Sequence, residues 1–471
     1  MKKKFPYDLC VIGGGAAGLT AAAGAATLGA KVALIEKKAL GGDCLYSGCI
    51  PSKTLIHLAK RAALFKKNSP APHDTAAQIT AHLNKVIQQI APHDSPERFK
   101  KLGVEVIFGQ GAFINRNEFK INDQIIRAKN FVLATGTSPF IPPIAGLEQT
   151  PYFTTETIFT TSEAFSHLII VGAGPVGCEL AQSYARLGAQ VSLFSSTPNL
   201  LPHEDTDLSA VIQHQLTHEG ITLYLNSTVE HICSTEQTIK LTFTDDSQQT
   251  RYLQGSHLLI ATGRRANLTG LNLAAINLDI EKQQLSVDRR LRTSQKNIYA
   301  CGDLVGPYHY THMAEHQAGI VLKNALFHWP AKYEQRVVPH CTFTDPELAS
   351  VGLNEHTAIK QGIKHRTYTF PFDQIDRALT DDNAVGFAKV ICSPKGKLLG
   401  AHIVGPQAGE LISEFVLALK QGLTLSAISN TIHIYPTLSQ INRRVADQHL
   451  KSSLTPGTQK LLKWLFRLQG N

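Results

Sequence analysis

Residues 8–18 read Asp8-Leu9-Cys10-Val11-Ile12-Gly13-Gly14-Gly15-Ala16-Ala17-Gly18, and this stretch decides the fold. A short apolar run ends in a turn with Gly13, Gly15 and Gly18 at G-x-G-x-x-G spacing. In such a turn the first glycine permits the bend and the second lets the backbone approach a pyrophosphate. The third lets helix and strand pack closely. The spacing predicts a small-residue helix over 19–28 and a second strand over 31–35 that ends at Glu36. Glu36 lies 18 positions after Gly18, where an acid can hold a ribose. The free N–H groups and positive dipole end of the helix complete an anion site.

The same pattern returns later in the chain. A strand at 168–171 leads into Gly172, Gly174 and Gly177, then a helix expected over 178–187 and a strand over 190–194. The dinucleotide-binding module is therefore duplicated. The second copy ends in Phe194-Ser195-Ser196-Thr197, with neither the acid that favours NAD nor the arginine that accommodates NADP. Nicotinamide preference stays open, and Ser195 and Ser196 could serve either a ribose or a phosphate. Each module closes on an Ala-Thr-Gly turn, at Ala134-Thr135-Gly136 and at Ala261-Thr262-Gly263. Between the modules, 70–96 is expected to be a surface excursion around a helix. Residues 104–133 alternate as strands do, and 139–143 look like a crossover. Beyond residue 338 strands and helices continue without a phosphate turn, marking a separate domain.

Composition narrows the function. The chain has 471 residues, enough for about three domains. Its net charge of +9 is scattered rather than gathered in a patch, which argues against nucleic-acid binding. No apolar run spans a membrane, and the basic start, Lys2 to Lys4, runs into a strand rather than a signal segment. Cytoplasm is the expected location. Eight cysteines are too few for a disulfide-stapled scaffold, and their spacing gives no zinc site. Cys10, Cys178, Cys233, Cys301, Cys341 and Cys392 are dispersed and read as buried, inert thiols.

Cys44 and Cys49 differ from those six. They stand five apart in Gly41-Gly42-Asp43-Cys44-Leu45-Tyr46-Ser47-Gly48-Cys49-Ile50-Pro51-Ser52-Lys53. A regular helix would not bring two sulfurs at that spacing together, whereas a helix start loosened by glycine can. A helix N-terminus favours thiolate, and Lys53 adds positive charge. The pair therefore reads as redox-active.

In these motifs the chain resembles the pyridine nucleotide–disulfide oxidoreductases, the family of dihydrolipoamide dehydrogenase, glutathione reductase and mercuric reductase. The resemblance covers residues 6–450. It rests on the Cys-x4-Cys-x-Pro-Ser-Lys segment, the two glycine turns, the two Ala-Thr-Gly turns, Cys301-Gly302-Asp303 and Thr344–Gly352. It implies an α/β fold with two Rossmann-like domains and an α+β C-terminal dimerisation domain. The expected division is an FAD domain in 1–152 and 268–337, an NAD(P) domain in 153–267, a dimerisation domain in 338–450 and a basic tail in 451–471. It also implies a homodimer with a shared active site, binding FAD and NAD(P)H.

Carried over by position, Cys49 is the flavin-side sulfur and Cys44 the sulfur that meets the acceptor. Lys53 and Glu179 match an ion pair beside the reactive edge of the flavin. Asp303 matches the acid that binds the ribityl chain, and Thr311 begins a helix facing the pyrimidine end of the ring. Gly42, Ala112, Thr135 and Gly136 fall at further FAD positions, and Gly263 at an NAD(P) position.

One segment departs from the family pattern. Where disulfide reductases carry a His-Pro-Thr segment and then a Glu, this chain has His433-Ile434-Tyr435-Pro436-Thr437-Leu438-Ser439-Gln440. Tyr435 replaces the acid/base histidine and Gln440 replaces its orienting acid. A phenol with a pKa of about 10 is a poor base at neutrality. His433 could point the same way as Tyr435 in an extended segment. The mercuric reductase-like members are the nearest description, although the vicinal cysteines that deliver metal in mercuric reductases are missing here. The expected reaction is transfer from NAD(P)H to a soft small-molecule or metal-ion acceptor. The alternatives are a dihydrolipoamide dehydrogenase or other disulfide reductase, and a non-catalytic redox-sensing flavoprotein subunit. Finally, 460–468 alternates Lys460, Lys463 and Arg467 with leucines, Trp464 and Phe466. It reads either as an interfacial membrane helix or as a helix docked on the dimer or on its own domain.

Overall fold

The computed structural model describes residues 5–68, 75–236, 238–278, 280–281 and 284–469. Leu9, Cys10 and Val11 in the strand Tyr7–Ile12 have no exposed surface, as befits a strand covered on both faces. That strand pairs in parallel with Val32–Glu36 on one side and Gln124–Leu133 on the other. Val104–Phe108 extends the first edge, and Glu118–Ile121 with Gly111–Asn115 extends the second in antiparallel fashion. Ile298–Ala300 returns from far along the chain to pair in parallel with Gln124–Leu133, completing seven strands. The second module is thus threaded into the first.

That second module has its own parallel sheet, in the order Thr222–Tyr224, Gln190–Phe194, His167–Val171, His257–Ile260. An antiparallel sheet of Thr228–Ser234, Ile239–Thr244 and Thr250–Gly255 contributes Ile232, Leu241 and Phe243 to a core shared with Ile169, Phe194 and Leu258. The two chain crossings between modules are stitched where Thr137–Pro139 pairs with Arg264–Ala266.

Both phosphate-turn helices begin three residues before the positions that spacing predicts, at Ala16–Thr27 and Pro175–Arg186. The glycines hide this start, because Gly15 and Gly174 act as extended N-caps with no side-chain acceptor. The third glycine of each turn lies inside the helix and against the first. A Cβ on Gly18 would sit 1.8 Å from the Gly13 carbonyl oxygen, and one on Gly177 would sit 1.9 Å from that of Gly172. The excursion contains the helix Ala76–Ile90, closed by a capping box from Thr75 and Gln78, while its residues 70–74 lie outside the described residues.

The C-terminal region forms a five-stranded antiparallel sheet in the order His340–Thr342, Glu347–Gly352, Leu398–Gly405, Phe387–Cys392, Arg366–Pro371. The helices Ala408–Gln421 and Gln440–Ser453 bury Phe415, Ile441 and Val445 in the core they share with this sheet. Lys389 is buried in the strand Phe387–Cys392 and reaches Asp205, Asp207 and Glu355 at 3.0, 2.9 and 2.7 Å. A buried ammonium needs such partners. This one ties the C-terminal sheet to the second module.

Candidate active site

The cysteine segment forms two helices rather than one distorted helix start. Gly41 and Gly42 take left-handed φ values of 111° and 59°, and the short helix Gly42–Tyr46 carries Cys44. The chain then breaks at Ser47-Gly48, and Cys49 opens the helix Cys49–Asn68. Gly48 fits only without a side chain, because a Cβ there would lie 2.9 Å from the Asp43 carbonyl oxygen. The break folds Cys44 back towards Cys49, and both are free thiols.

The two thiols are unequal. Cys49 is lowered to about 6, first by the hydrogen bond from Cys44, then by Thr311 and by the charge of Lys53, against opposition from burial and Glu179. The Thr311 hydroxyl is 3.5 Å from the Cys49 sulfur. Cys44 shifts the other way, raised by its hydrogen bond to Cys49 and by burial. The pair therefore favours thiolate at Cys49 over thiolate at Cys44.

Lys53 lies one turn into the same helix. Its Nζ is 2.9 Å from Glu179 Oε2 and 4.4 Å from the centre of the Phe343 ring. Glu179 is buried and its second oxygen accepts from the Phe343 N–H at 2.9 Å. Glu179, two residues past the second phosphate turn, thus fixes a cation beside the thiolate.

The surroundings fit a dinucleotide whose ring end meets Cys49. Gly42 lies so close to Gly15 that a Cβ on it would be 2.7 Å from the Gly15 Cα, so the two glycines form a narrow cradle. Glu36 accepts from the Gly14 N–H at 2.7 Å and the Lys38 N–H at 2.7 Å, at the end of its strand. Thr135 and Asn267 exchange hydrogen bonds at 2.8 and 3.0 Å, which holds the first Ala-Thr-Gly turn, with Gly136 at φ 64°. Ala112 sits in Gly111–Asn115, the edge strand of the first module's sheet.

Asp303 accepts one long hydrogen bond, from the Thr137 hydroxyl at 3.4 Å, and burial raises its pKa. His309 lies within its electrostatic reach, and burial lowers the His309 pKa. His309 Nε2 is buried without a hydrogen-bond partner among the described residues. A polyhydroxyl chain could satisfy both groups. The helix Thr311–Phe327 begins without a side-chain cap, leaving its first N–H groups for a ligand. Arg264 spans the gap between modules, donating to Thr137 Oγ1 at 2.7 Å and pairing with Asp43 beside Cys44. Residues 264 and 43 are 221 apart, so sequence spacing carries no signal of that pair.

In the second module Gly172 and Gly263 have φ values of 115° and 120°, and a Cβ on Gly174 would meet nothing within 4 Å. The approach to that turn is open. Ser195 is buried and bonds Thr197 Oγ1 at 2.9 Å, bracing its own turn, while Ser196 is exposed.

The C-terminal loop separates the residues that sequence reasoning grouped. The His433 side chain is only 5% exposed and faces Glu414, with Nε2 at 3.0 Å from both carboxylate oxygens and Nδ1 at 2.9 Å from the Thr431 carbonyl. It does not point alongside Tyr435, which is 66% exposed and donates to Asp376 Oδ2 at 2.9 Å. That carboxylate raises the Tyr435 pKa. Gln440 does not orient Tyr435. Its amide donates to the carbonyls of His433 and Ile434 at 3.0 and 3.2 Å and so braces the loop. Glu414 and Asp376, both missed in the sequence, lie 19 and 59 residues from their partners.

Comparison with known proteins agrees with this geometry. The family described as pyridine nucleotide-disulphide oxidoreductase matches residues 7–318, and its dimerisation domain matches 338–445. A mercuric reductase of Bacillus cereus is 33% identical over 93% of this chain and 70% of its own length. A dihydrolipoyl dehydrogenase of Chlamydia muridarum is 33% identical over 92% of this chain and 95% of its own length. Among solved structures, the Cu(II) complex of the HOCl-induced flavoprotein disulfide reductase RclA from Escherichia coli superposes with TM-score 0.86. It is 27% identical and covers 95% of this chain and 100% of its own.

Proposed function

The chain belongs to the pyridine nucleotide-disulphide oxidoreductases, FAD-dependent and NAD(P)H-linked enzymes, and on that premise we propose that its acceptor is a soft metal ion reduced at Cys44 and Cys49. Bound FAD supplies the two-electron relay between the nicotinamide and the thiol pair. Gly13, Gly15, Gly18, Glu36, Gly42, Ala112, Thr135, Gly136, Asp303 and Thr311 would hold it, and Gly172, Gly174, Gly177, Ser196 and Gly263 would hold NAD(P)H. Lys53, kept in place by Glu179, stabilises negative charge at the site. The enzyme works as a homodimer, and we place it in the cytoplasm.

The observation that carries this reading is that the segment standing where disulfide reductases carry their acid/base histidine holds no uncommitted base. The Tyr435 hydroxyl is already donating to Asp376 and His433 is committed to Glu414, while Cys49 and burial push the Cys44 thiol up. A disulfide acceptor needs that proton managed. A soft cation does not, because coordination itself deprotonates a thiol. NAD(P)H and a divalent ion then give NAD(P)+, the ion reduced by two electrons, and one proton.

The test is NAD(P)H oxidation by the purified holoenzyme with Hg²⁺, Cu²⁺, lipoamide, glutathione disulfide and quinones. The expected result is metal-dependent turnover that is lost in Cys44→Ser and Cys49→Ser. A higher kcat/KM for lipoamide than for any metal ion would assign the chain to disulfide reduction, the reading favoured by its dihydrolipoyl dehydrogenase relatives. Absence of turnover with every acceptor would mark a redox sensor.

A further inference from the structure

The helix Pro456–Phe466 lies beyond residue 445, where the dimerisation-domain match ends. It is well formed locally, since Thr455 caps it by accepting from the Thr458 N–H at 3.2 Å and Pro456 occupies its first turn. None of its residues is fully buried. Trp464, Leu465 and Phe466 are 75, 55 and 67% exposed, and Leu461 and Leu468 are exposed as well.

The sequence sorts these residues onto opposite faces. At 100° per residue, Leu461, Leu462, Trp464, Leu465 and Phe466 fill one side, and Gln459, Lys460 and Lys463 the other. After Asp447 the chain has no acidic residue, but it has Lys451, Lys460, Lys463 and Arg467. A surface of net positive protein is a poor match for such a helix, and this chain carries +9. An anionic surface that also admits apolar side chains fits both faces of this helix. No helix of the described residues is long and apolar enough to cross a membrane.

We propose that residues 455–468 form an interfacial anchor that lays its Trp464 face into the headgroup region of an anionic lipid bilayer. One such helix binds reversibly, with strength set by apolar area and by attraction to anionic lipid. The anchor holds a catalytically complete enzyme at the membrane surface.

The experiment uses FAD-loaded full-length protein, the same chain ended after Ser453, and a Lys460→Gln, Lys463→Gln, Arg467→Gln triple variant. Each is sedimented with vesicles of phosphatidylcholine alone or of three parts phosphatidylcholine to one part phosphatidylglycerol, at low and high salt. Flavin content and sedimentation velocity without vesicles report folding and subunit state. Full-length protein should pellet with the anionic vesicles, roughly tenfold less at high salt. The triple variant should fall by about tenfold or more, and the shortened chain should not pellet. In a Trp329→Phe background, Trp464 emission should shift to the blue on binding. Equal pelleting of full-length and shortened chains, or no pelleting with anionic vesicles, would overturn the proposal. So would conversion of dimer to monomer on shortening without vesicle binding, which would make the tail a subunit contact.

Discussion

Lys53 Nζ lies 2.9 Å from Glu179 Oε2, joining two helices whose residues are 126 apart in sequence. The acid is buried and the lysine about one-third exposed, so the pair holds a cation that stays accessible. Removing one preorganised electrostatic group from a site typically costs about 10²–10³ in rate. Lys53→Met should therefore slow reduction of the bound flavin by NAD(P)H by about 10²-fold in stopped-flow absorbance. Glu179→Gln should cost less, because an amide can still accept from Phe343 N–H.

The thiol asymmetry gives a pH profile. Cys49 is held as thiolate by a hydrogen bond from Cys44, so its alkylation by iodoacetamide in the reduced enzyme should rise as pH rises through about 6. Cys44→Ala removes the largest stabilising contact and should move that inflection upward. Labelling sites are read by peptide mass. An unmoved inflection would mean that Lys53 and Thr311 alone set the Cys49 charge.

Two glycines make a contrasting pair. Gly18→Ala places a methyl 1.8 Å from the Gly13 oxygen, so purified protein should contain little flavin. Gly319, in the helix Thr311–Phe327, has nothing within 4 Å of an added Cβ. Gly319→Ala should keep full flavin content and raise stability by about 0.5–1 kcal/mol, measured by thermal unfolding.

The C-terminal loop should separate stability from chemistry. Gln440→Ala frees two carbonyls and should cost about 1–2 kcal/mol in urea unfolding. His433→Ala leaves Glu414 with only the Asn442 amide among the described residues and should cost roughly 1–3 kcal/mol. Tyr435→Phe keeps the ring and removes the hydroxyl, and metal-ion turnover should change by no more than about threefold. A loss of 10²-fold would give the hydroxyl a direct part in the reaction.

The glycine turns and the cysteine segment were legible because their constraints are local: a positive φ, a Cβ that cannot fit, a break between two helices. Helix starts were misplaced by three residues because glycines cap those helices with backbone alone. The partners of His433 and Tyr435 were not legible. Glu414 sits on the helix Ala408–Gln421 and Asp376 opens the short helix Asp376–Thr380, and only the packing of the C-terminal domain brings them in. The same is true of Arg264 and Asp43, which meet because two chain crossings pair between the modules.

The central claim is that reducing equivalents from NAD(P)H arrive at Cys44 and Cys49. Air-oxidised holoenzyme would be divided, one half treated anaerobically with a single equivalent of NADPH or NADH, and both halves alkylated in denaturant for peptide mass analysis. Of the eight cysteines, only Cys44 and Cys49 should be protected before reduction and labelled after it. Equal labelling of both residues in the two halves, or protection of a different pair, would contradict the account.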